Sequence, residues 1–281
     1  MSRDPALYHM ARLSSFDLGL LRSPGPGLGN LLLPIARAFG ARRRHGGTLV
    51  YPTFRQLKIG TILRWERDFR TYGDLFRGRA GREWGDWIRA GMCKKVPEDQ
   101  LDMALARDRA MTVTYTGLGR QFHQIMDEAA PFAEWLDGTA RYQGLIQDSY
   151  DIAVHIRLGD FFVDRPDGVK GSGYRQSYDW YRDAVALARD ILGEANPRVM
   201  LFTDEDPNQV AGELGLDAVE LDPGQNAVTA IRNLSKARLI VTSRSSFSMW
   251  GVFLGGAQAI WQQGYDLGDK MPVRDGLDQF L

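Results

Sequence analysis

The sequence is poor in the features that mark several large classes of protein. Its one cysteine, Cys93, cannot form an internal disulfide, which is typical of reducing compartments. Lys plus Arg equals Asp plus Glu, at 35 of each, whereas a dedicated nucleic-acid binder usually carries excess positive charge. No run approaches the roughly 18 apolar residues of a membrane span, and residues 1–12 hold no apolar signal region. We therefore expect a cytoplasmic protein without a nucleic-acid partner or a membrane span, and peripheral membrane association stays open.

The apolar content is sufficient for ordinary globular cores. Hydrophobic residues make up 44% of the chain and aromatic residues 11%, which argues against global disorder. A chain of 281 residues suits one large domain or two smaller ones. Regular alternation of strands and helices begins near residues 143–150, so we predict an N-terminal lobe at 1–148 and a C-terminal lobe at 149–281.

The N-terminal part predicts the opening of a Rossmann-like lobe. Residues 16–21 (FDLGLL) form a predicted first strand, and residues 47–52 (GTLVYP) form the next strand. We expect the intervening helix to begin near Leu31 to Leu33, because Pro34 fits best in a first helical turn.

Glycines precede that predicted helix. Gly27 and Gly29 would let backbone amides approach an anion at the helix N-terminus. A tight turn from strand to helix explains the same glycines without any ligand. Asn30 stands where a dinucleotide-binding fingerprint has its third glycine, which disfavours a Rossmann-type dehydrogenase.

The C-terminal part alternates short strands with helices. This alternation predicts a parallel sheet with crossover helices, and hence an α/β fold. The predicted strands are 152–156, 198–203, 218–221, 238–242 and 258–261, and the predicted helices are 178–192, 207–214, 226–236 and 246–254.

One stretch, residues 152–160 (IAVHIRLGD), organises the C-terminal part. An apolar run ends in a polar cluster, which would lie at the carboxyl end of a buried strand, where open α/β sheets bind ligands. Alternation places His155 and Arg157 on one face of that strand. The Arg157 guanidinium can bind a phosphate, and Asp160 follows as a base, an acid or an orienting partner. A structural ion pair between Arg157 and Asp160 is the alternative interpretation.

Two further polar clusters follow predicted strands, at residues 202–206 (FTDED) and 243–248 (SRSSFS). Ser245 and Ser246 precede a helix and would cap it or hold a phosphate. Asp204 would bind ribose hydroxyls or a base, or would cap the next helix. No spacing of His, Cys or Asp indicates a metal site.

Several motifs together resemble a known family. HIRLGD at 155–160 resembles the HxRRGD motif of α-1,2-fucosyltransferases and of their α-1,6- and protein O-fucosyltransferase relatives. The other matches, in the family's order, are GLGN at 27–30, YDWYRDA at 178–184, FTDE at 202–205, and LSKA with SSFSMWG within 234–251.

The resemblance implies a GT-B-like architecture, that is, two Rossmann-like lobes with parallel sheets. It implies an acceptor side on the N-terminal lobe and a nucleotide-sugar donor on the C-terminal lobe. The expected reaction is an inverting transfer of fucose from GDP-fucose to a hydroxyl of a glycan acceptor, without a metal or a cofactor.

The family motifs also assign roles. His155 and Arg157 would contact the nucleotide and its diphosphate, and a helix N-terminus would stabilise the leaving group together with Arg157. The chemistry of the transfer also needs a base, for which Asp160 is the candidate, with Asp164 or an acidic group of the N-terminal lobe as alternatives. The expected donor-binding residues are His155, Arg157, Gly27, Gly29, Asn30, Asp204, Arg244, Ser245 and Ser246.

The chain departs from the family pattern at three positions. Leu158 replaces the second arginine of the central motif, and Arg244 replaces an asparagine, where its charge can serve the phosphate site. Ala230 stands where relatives carry an aspartate that recognises guanine. Two alternatives therefore stay open: a transferase of the same fold with another nucleotide sugar, and a catalytically silent relative that binds nucleotides or glycans. The sequence does not predict the oligomeric state.

Overall fold

The computed structural model describes residues 6–57, 72–106, 110–158, 175–216, 219–223 and 226–281. The chain divides into two compact units, an N-terminal unit (Met1–Arg141) and a C-terminal unit (Tyr142–Leu281). The described strands of each unit form a parallel sheet accompanied by helices. The predicted α/β class, with two Rossmann-like lobes on parallel sheets, is confirmed. The boundary predicted between residues 148 and 149 stays a prediction.

The N-terminal unit is built on a parallel sheet in the order β2-β1-β4-β3. Its described strands are β1 (Leu7–Ala11), β2 (Thr48–Val50), β3 (Lys94–Pro97) and β4 (Met111–Tyr115). Its described α-helices are α1 (Leu28–His45), α2 (Gly81–Met92), α3 (Leu101–Leu105) and α4 (Ala129–Thr139). Short 3₁₀ turns lie at Glu98–Gln100, Gln121–Gln124 and Met126–Glu128.

The strand predicted at residues 16–21 is wrong. The first strand is β1, and residues 16–21 belong to the loop between β1 and α1. Apolar residues in this loop do not face a core, since Phe16, Leu18 and Leu20 are 59%, 60% and 68% exposed. Gly19 also has a φ of +84°, which no strand residue adopts.

The predicted start of the first helix, near Leu31 to Leu33, is also wrong. Helix α1 begins at Leu28 and contains Pro34 in its interior. An interior proline costs about 3 kcal/mol through its missing N–H and a clash with the preceding turn. Burial outweighs that cost, because each fully buried aliphatic side chain contributes roughly 1.5 to 3 kcal/mol. Four neighbours of the proline on α1 are completely buried: Leu31, Leu32, Leu33 and Ile35.

The C-terminal unit is a parallel sheet in the order β7-β6-β5-β8-β9-β10. The predicted alternation is confirmed, and only the last strand was not predicted. The described strands are β5 (Tyr150–Ile156), β6 (Val199–Thr203), β7 (Val219–Leu221), β8 (Ala237–Val241), β9 (Gln258–Trp261) and β10 (Asp278–Phe280). The described helices are α5 (Tyr178–Leu192), α6 (Pro207–Leu214), α7 (Ala227–Leu234) and α8 (Ser246–Gly255).

The order of these strands creates a switch point beside β5. The chain adds β6 and β7 on one side of β5 and then continues with β8, β9 and β10 on the other side. Open α/β sheets bind ligands in the crevice that such a reversal leaves at the carboxyl ends of the strands. The register pairs Ile156 with Thr203 and Val154 with Val241, so the segments that follow β5, β6 and β8 meet at this crevice.

His9 is a buried polar group in the N-terminal sheet. Its Nε2 lies 3.0 Å from the carbonyl oxygen of Gly46, and its Nδ1 lies 2.8 Å from the hydroxyl of Tyr115. A carbonyl only accepts, so Nε2–H donates to Gly46 and Nδ1 accepts from Tyr115. Burial outweighs the hydrogen bond to Gly46 and lowers the pKa of His9 from 6.5 to about 4. The imidazole is therefore neutral near pH 7.

We predict that this histidine makes the protein acid-sensitive. The unfolded state binds the proton below pH 6.5, whereas the folded state resists it down to about pH 4. The stability that depends on neutral His9 is therefore fully present above pH 6.5 and is lost as the pH falls. This loss lowers the free energy of unfolding by about 2 kcal/mol between pH 7 and pH 5.

Urea denaturation at pH 7 and at pH 5 measures this loss, which should be smaller for His9→Gln than for the wild type. An unchanged acid slope in His9→Gln would contradict the prediction.

Candidate functional site

His155 lies at the carboxyl end of β5 and is only 5% exposed. Its Nδ1 is 2.6 Å from the Ser248 hydroxyl and 2.8 Å from the Ser243 hydroxyl. Its ring stacks on Phe247, with centroids 5.1 Å apart and planes inclined by 18°. The segment after β8 and the first turn of α8 therefore hold the ring from one side.

The surroundings of His155 keep its imidazole neutral. Burial is the largest effect on its pKa, and the positive charge of Arg157 acts in the same direction. The carboxylate of Asp204 opposes both, and the net result lowers the pKa of His155 to about 3. At physiological pH this ring is thus a hydrogen-bonding group without a charge.

Asp204 braces the end of β5 with both of its carboxylate oxygens. Oδ2 lies 3.1 Å from Nε of Arg157, and Oδ1 accepts a 2.8 Å hydrogen bond from the backbone N–H of Leu158. The side chains of Arg157 and Asp204 are 22% and 23% exposed, so the pair lies at the surface of the crevice. Asp204 does not cap the next helix, because the cap of α6 is Asp206. The alternative partner of Arg157, Asp160, lies outside the described residues.

Leu158 takes part in the core of the C-terminal unit. It is 6% exposed and packs with apolar residues of β5, β6, β8, α5 and α6. An arginine at this position would place a charged side chain among those apolar residues. The departure from the family's double arginine therefore has a packing role in this chain.

The serine cluster forms the start of α8. Ser245 is the N-cap, since its Oγ accepts a 3.1 Å hydrogen bond from the N–H of Phe247, and Ser246 is the first helical residue. The guanidinium carbon of Arg244 lies 5.7 Å from the centre of the Tyr265 ring. A helix N-terminus carries partial positive charge, so α8 and Arg244 add two positive groups at the carboxyl end of β8.

Ser243 and Ser248 are functional candidates that the sequence did not single out. Ser248, in the first turn of α8, is completely buried and Ser243 is 2% exposed, and the hydroxyls of both contact His155. The signal that could have found Ser248 is its position three residues after the N-cap Ser245, which is one helical turn away.

The glycine-rich loop of the N-terminal unit is held by a buried arginine that the sequence also did not reveal. Arg22 is 1% exposed, and its Nε donates to the carbonyl of Thr53. Its Nη1 donates to Oε1 of Gln56, which also accepts the backbone N–H of Gly25. Burial lowers the pKa of Arg22 to about 10, so the side chain stays charged at neutral pH. Arg22 and Gln56 thus fix the path of the chain into α1.

The glycines of this loop differ in what a side chain would meet. A Cβ on Gly25 would lie 2.4 Å from the carbonyl oxygen of Leu13, whereas a Cβ on Gly27 would meet nothing within 4 Å. Gly27 is the N-cap of α1, and Gly29 and Asn30 lie in its first turn. Tight packing therefore explains why residue 25 is a glycine, but it does not explain the glycine at position 27.

No group of three His, Cys, Asp or Glu side chains within the described ranges is placed to hold a metal ion. None of the described helices is long and apolar enough to cross a membrane.

A scan against models of protein families gave no match, and a search of curated proteins gave none either. Three similar solved structures are the E. coli heptosyltransferase WaaC with ADP, the NodZ α-1,6-fucosyltransferase soaked with GDP-fucose, and POFUT1 in complex with GDP-fucose. WaaC is 14% identical with a TM-score of 0.46, and the match covers 92% of each chain. NodZ is 14% identical with a TM-score of 0.45, over 95% of this chain and 97% of NodZ. POFUT1 is 12% identical with a TM-score of 0.45, over 99% of this chain and 98% of POFUT1. TM-scores below 0.5 support no inference about ligand or reaction, so the function has to be inferred from the residues themselves.

We predict that the two glycines before α1 respond differently to the same substitution. Gly25→Ser should lower the free energy of unfolding by about 1 to 3 kcal/mol, because its Cβ would overlap a backbone oxygen. Gly27→Ser should stay within about 0.5 kcal/mol of the wild type, because serine is a good N-cap and its Cβ enters open space. Urea denaturation of both variants measures the difference, and equal losses would contradict the assignment of Gly25 to packing.

Proposed function

We propose that the C-terminal unit binds the diphosphate of a nucleotide sugar and that the protein transfers the sugar to a hydroxyl of a glycan acceptor. The observation that carries this proposal is the meeting of Arg157, His155 and the N-terminus of α8 at the switch point beside β5. A permanent cation, a neutral hydrogen-bonding ring and a helix N-terminus together suit a diphosphate.

The ion pair between Arg157 and Asp204 supports this assignment. The pair uses Nε of the guanidinium and also fixes the backbone at Leu158, so the direction of the arginine side chain is set before a ligand arrives. Preorganised donors of this kind stabilise developing charge without reorganisation during the reaction. Arg244, which follows β8, supplies a second cation for a ligand that carries two phosphates.

The reaction then needs a leaving group and a base. The acceptor oxygen forms a bond to the anomeric carbon of the sugar while the bond from that carbon to the diphosphate oxygen breaks. The electron pair of the broken bond stays on the diphosphate, where Arg157 and the α8 N-terminus stabilise it. The proton of the acceptor hydroxyl passes to a base. We assign that base to Asp160, with Asp164 as the alternative; both residues lie outside the described part of the chain. The transfer is inverting and needs no metal or cofactor.

GDP-fucose is the donor that we propose first, on the basis of the segment HIRLGD at 155–160, which resembles HxRRGD, and of the serine-rich segment at the start of α8. This chain differs from the family in how it would recognise the nucleobase of the donor, because the side chain of Ala230, in α7, has no hydrogen-bonding group for guanine. On the same resemblance, we propose Gly27, Gly29 and Asn30 as further donor-binding residues, and the N-terminal unit as the acceptor side. A cytoplasmic location is part of the same proposal.

We predict that a nucleoside diphosphate stabilises the protein and that Arg157 is required for this effect. A thermal-shift panel of GDP, UDP, dTDP, CMP and NAD tests the wild type. A ligand at about 100 times its dissociation constant adds roughly 2.7 kcal/mol of stability. Arg157→Ala should bind about 10- to 100-fold more weakly, because hydrogen bonds to charged groups contribute about 1.5 to 3 kcal/mol.

The matched control is Arg182→Ala, which removes an exposed arginine of α5 that pairs with Asp179. It should bind the nucleotide like the wild type. A thermal shift with GDP that is absent in Arg157→Ala supports GDP-fucose as the donor. A thermal shift with UDP or dTDP would leave the proposed site in place and replace only the proposed donor. Absence of any shift, or a shift that Arg157→Ala retains, would contradict the proposed site.

We predict that the proposed base can be separated from the nucleotide site. Asp160→Asn should keep the nucleotide affinity of the wild type while sugar transfer falls at least about 100-fold, as expected for loss of a general base. Asp164→Asn is the matched comparison, and transfer from GDP-fucose to oligosaccharide acceptors is the measurement. Full activity in Asp160→Asn together with loss in Asp164→Asn would move the role to Asp164.

A further inference from the structure

His155, Ser243 and Ser248 form a closed triangle of hydrogen-bonding atoms. The two serine hydroxyls are 2.8 and 2.6 Å from Nδ1 of the histidine and 3.1 Å from each other. The backbone N–H of Ser243 also donates to the Ser248 hydroxyl at 3.0 Å. All three residues are at most 5% exposed, so every proton in the triangle needs an acceptor within the protein.

The number of protons that the two hydroxyls and Nδ1 carry decides which tautomer of His155 leaves every proton with an acceptor. If Nδ1 carries no proton, one serine donates to Nδ1 and the other serine donates to the first serine. Both hydroxyl protons then have an acceptor, and the Ser248 oxygen can still accept the N–H of Ser243.

The opposite tautomer leaves one proton without an acceptor. If Nδ1 carries a proton, it donates to one serine, and one hydroxyl can donate to the other. The remaining hydroxyl cannot donate to Nδ1, and no other acceptor for either serine lies within the described residues. An unsatisfied buried donor disfavours this tautomer by about 5- to 160-fold.

The opposite ring nitrogen is the one that the protein leaves for a ligand. Nε2 of His155 makes no hydrogen bond within the described ranges, while Nδ1 is occupied by the two serines. The charged groups that act on the ring are Arg157, on the same strand, and Asp204, after β6. Their effects oppose each other, and burial keeps the ring neutral at physiological pH.

We propose that Ser243 and Ser248 are positioning residues that hold His155 as its Nε2–H tautomer, so that Nε2–H is a fixed hydrogen-bond donor for an oxygen atom of the ligand. The proposal rests on the proposed function only for the identity of that oxygen, which would belong to the diphosphate of the nucleotide sugar. Because the ring is neutral, this contact keeps its strength from pH 7 down to pH 5.

Nitrogen NMR of the full chain labelled with ¹⁵N-histidine tests the tautomer without any activity measurement. The chain has four histidines, and His155→Gln identifies the signals of His155 by their loss. We expect a proton-free Nδ1 and a protonated Nε2 of His155 at pH 7, unchanged at pH 5. In the double variant Ser243→Ala/Ser248→Ala, the Nδ1 signal should move, because this nitrogen loses both of its donors and the tautomer is no longer fixed. Ser235→Ala, a buried serine elsewhere in this unit, is the control and should leave the signals in place.

The outcomes separate this inference from the proposed function. A protonated Nδ1 in the wild type, titration of His155 between pH 7 and pH 5, or an unmoved Nδ1 signal in the double variant would overturn the positioning role. The expected tautomer together with an Nε2 signal that GDP, UDP and dTDP all leave unmoved would overturn the diphosphate as the ligand and the proposed function with it. An Nε2 signal that moves when GDP, UDP or dTDP is added, together with about three- to tenfold weaker binding of that nucleotide by the double variant, supports both the positioning role and the proposed function.

Discussion

The parallel pairing of β5 with both β6 and β8 is the constraint on which the candidate site depends. His155, Asp204 and Ser248 belong to segments far apart in sequence, and the shared register of the three strands brings them to one edge of the sheet. A shift of one residue in either pairing would turn alternate side chains to the opposite face and separate the contacts. The contacts of the site therefore require the correct register of the three strands, whichever side chain is considered.

The charges at this edge follow from how deeply each group is buried. Arg157 is partly exposed and keeps its charge beside the carboxylate of Asp204, whereas His155 is buried and neutral. A second buried cation would cost several kcal/mol in desolvation, and a neutral ring adds a hydrogen-bond donor without that cost. The combination of one braced cation and one neutral donor suits a leaving diphosphate, whose charge increases as the sugar is transferred.

The sequence predicted the C-terminal unit better than the N-terminal unit, for physical reasons. Short apolar strands that alternate with helices reveal a parallel sheet directly, and residues 152–160 could be placed at a strand end from their pattern alone. In the N-terminal unit, packing overrode local preferences, since burial of α1 accommodates Pro34 and the apolar residues at 16–21 lie in an exposed loop. The role of Arg22 was not found because it depends on a contact with the distant residue Gln56, which no local pattern marks. The spacing of Ser248 from the N-cap Ser245 marks a helical turn, but it does not reveal the contact with the distant His155.

A crystal structure of the protein with the nucleoside diphosphate that stabilises it is the decisive test of whether a diphosphate binds at the switch point beside β5. We expect phosphate oxygens within hydrogen-bond distance of the Arg157 guanidinium, of Nε2 of His155 and of backbone amides at the start of α8. A diphosphate bound away from these groups, for example only at the glycine-rich loop before α1, would rule out a diphosphate site beside β5.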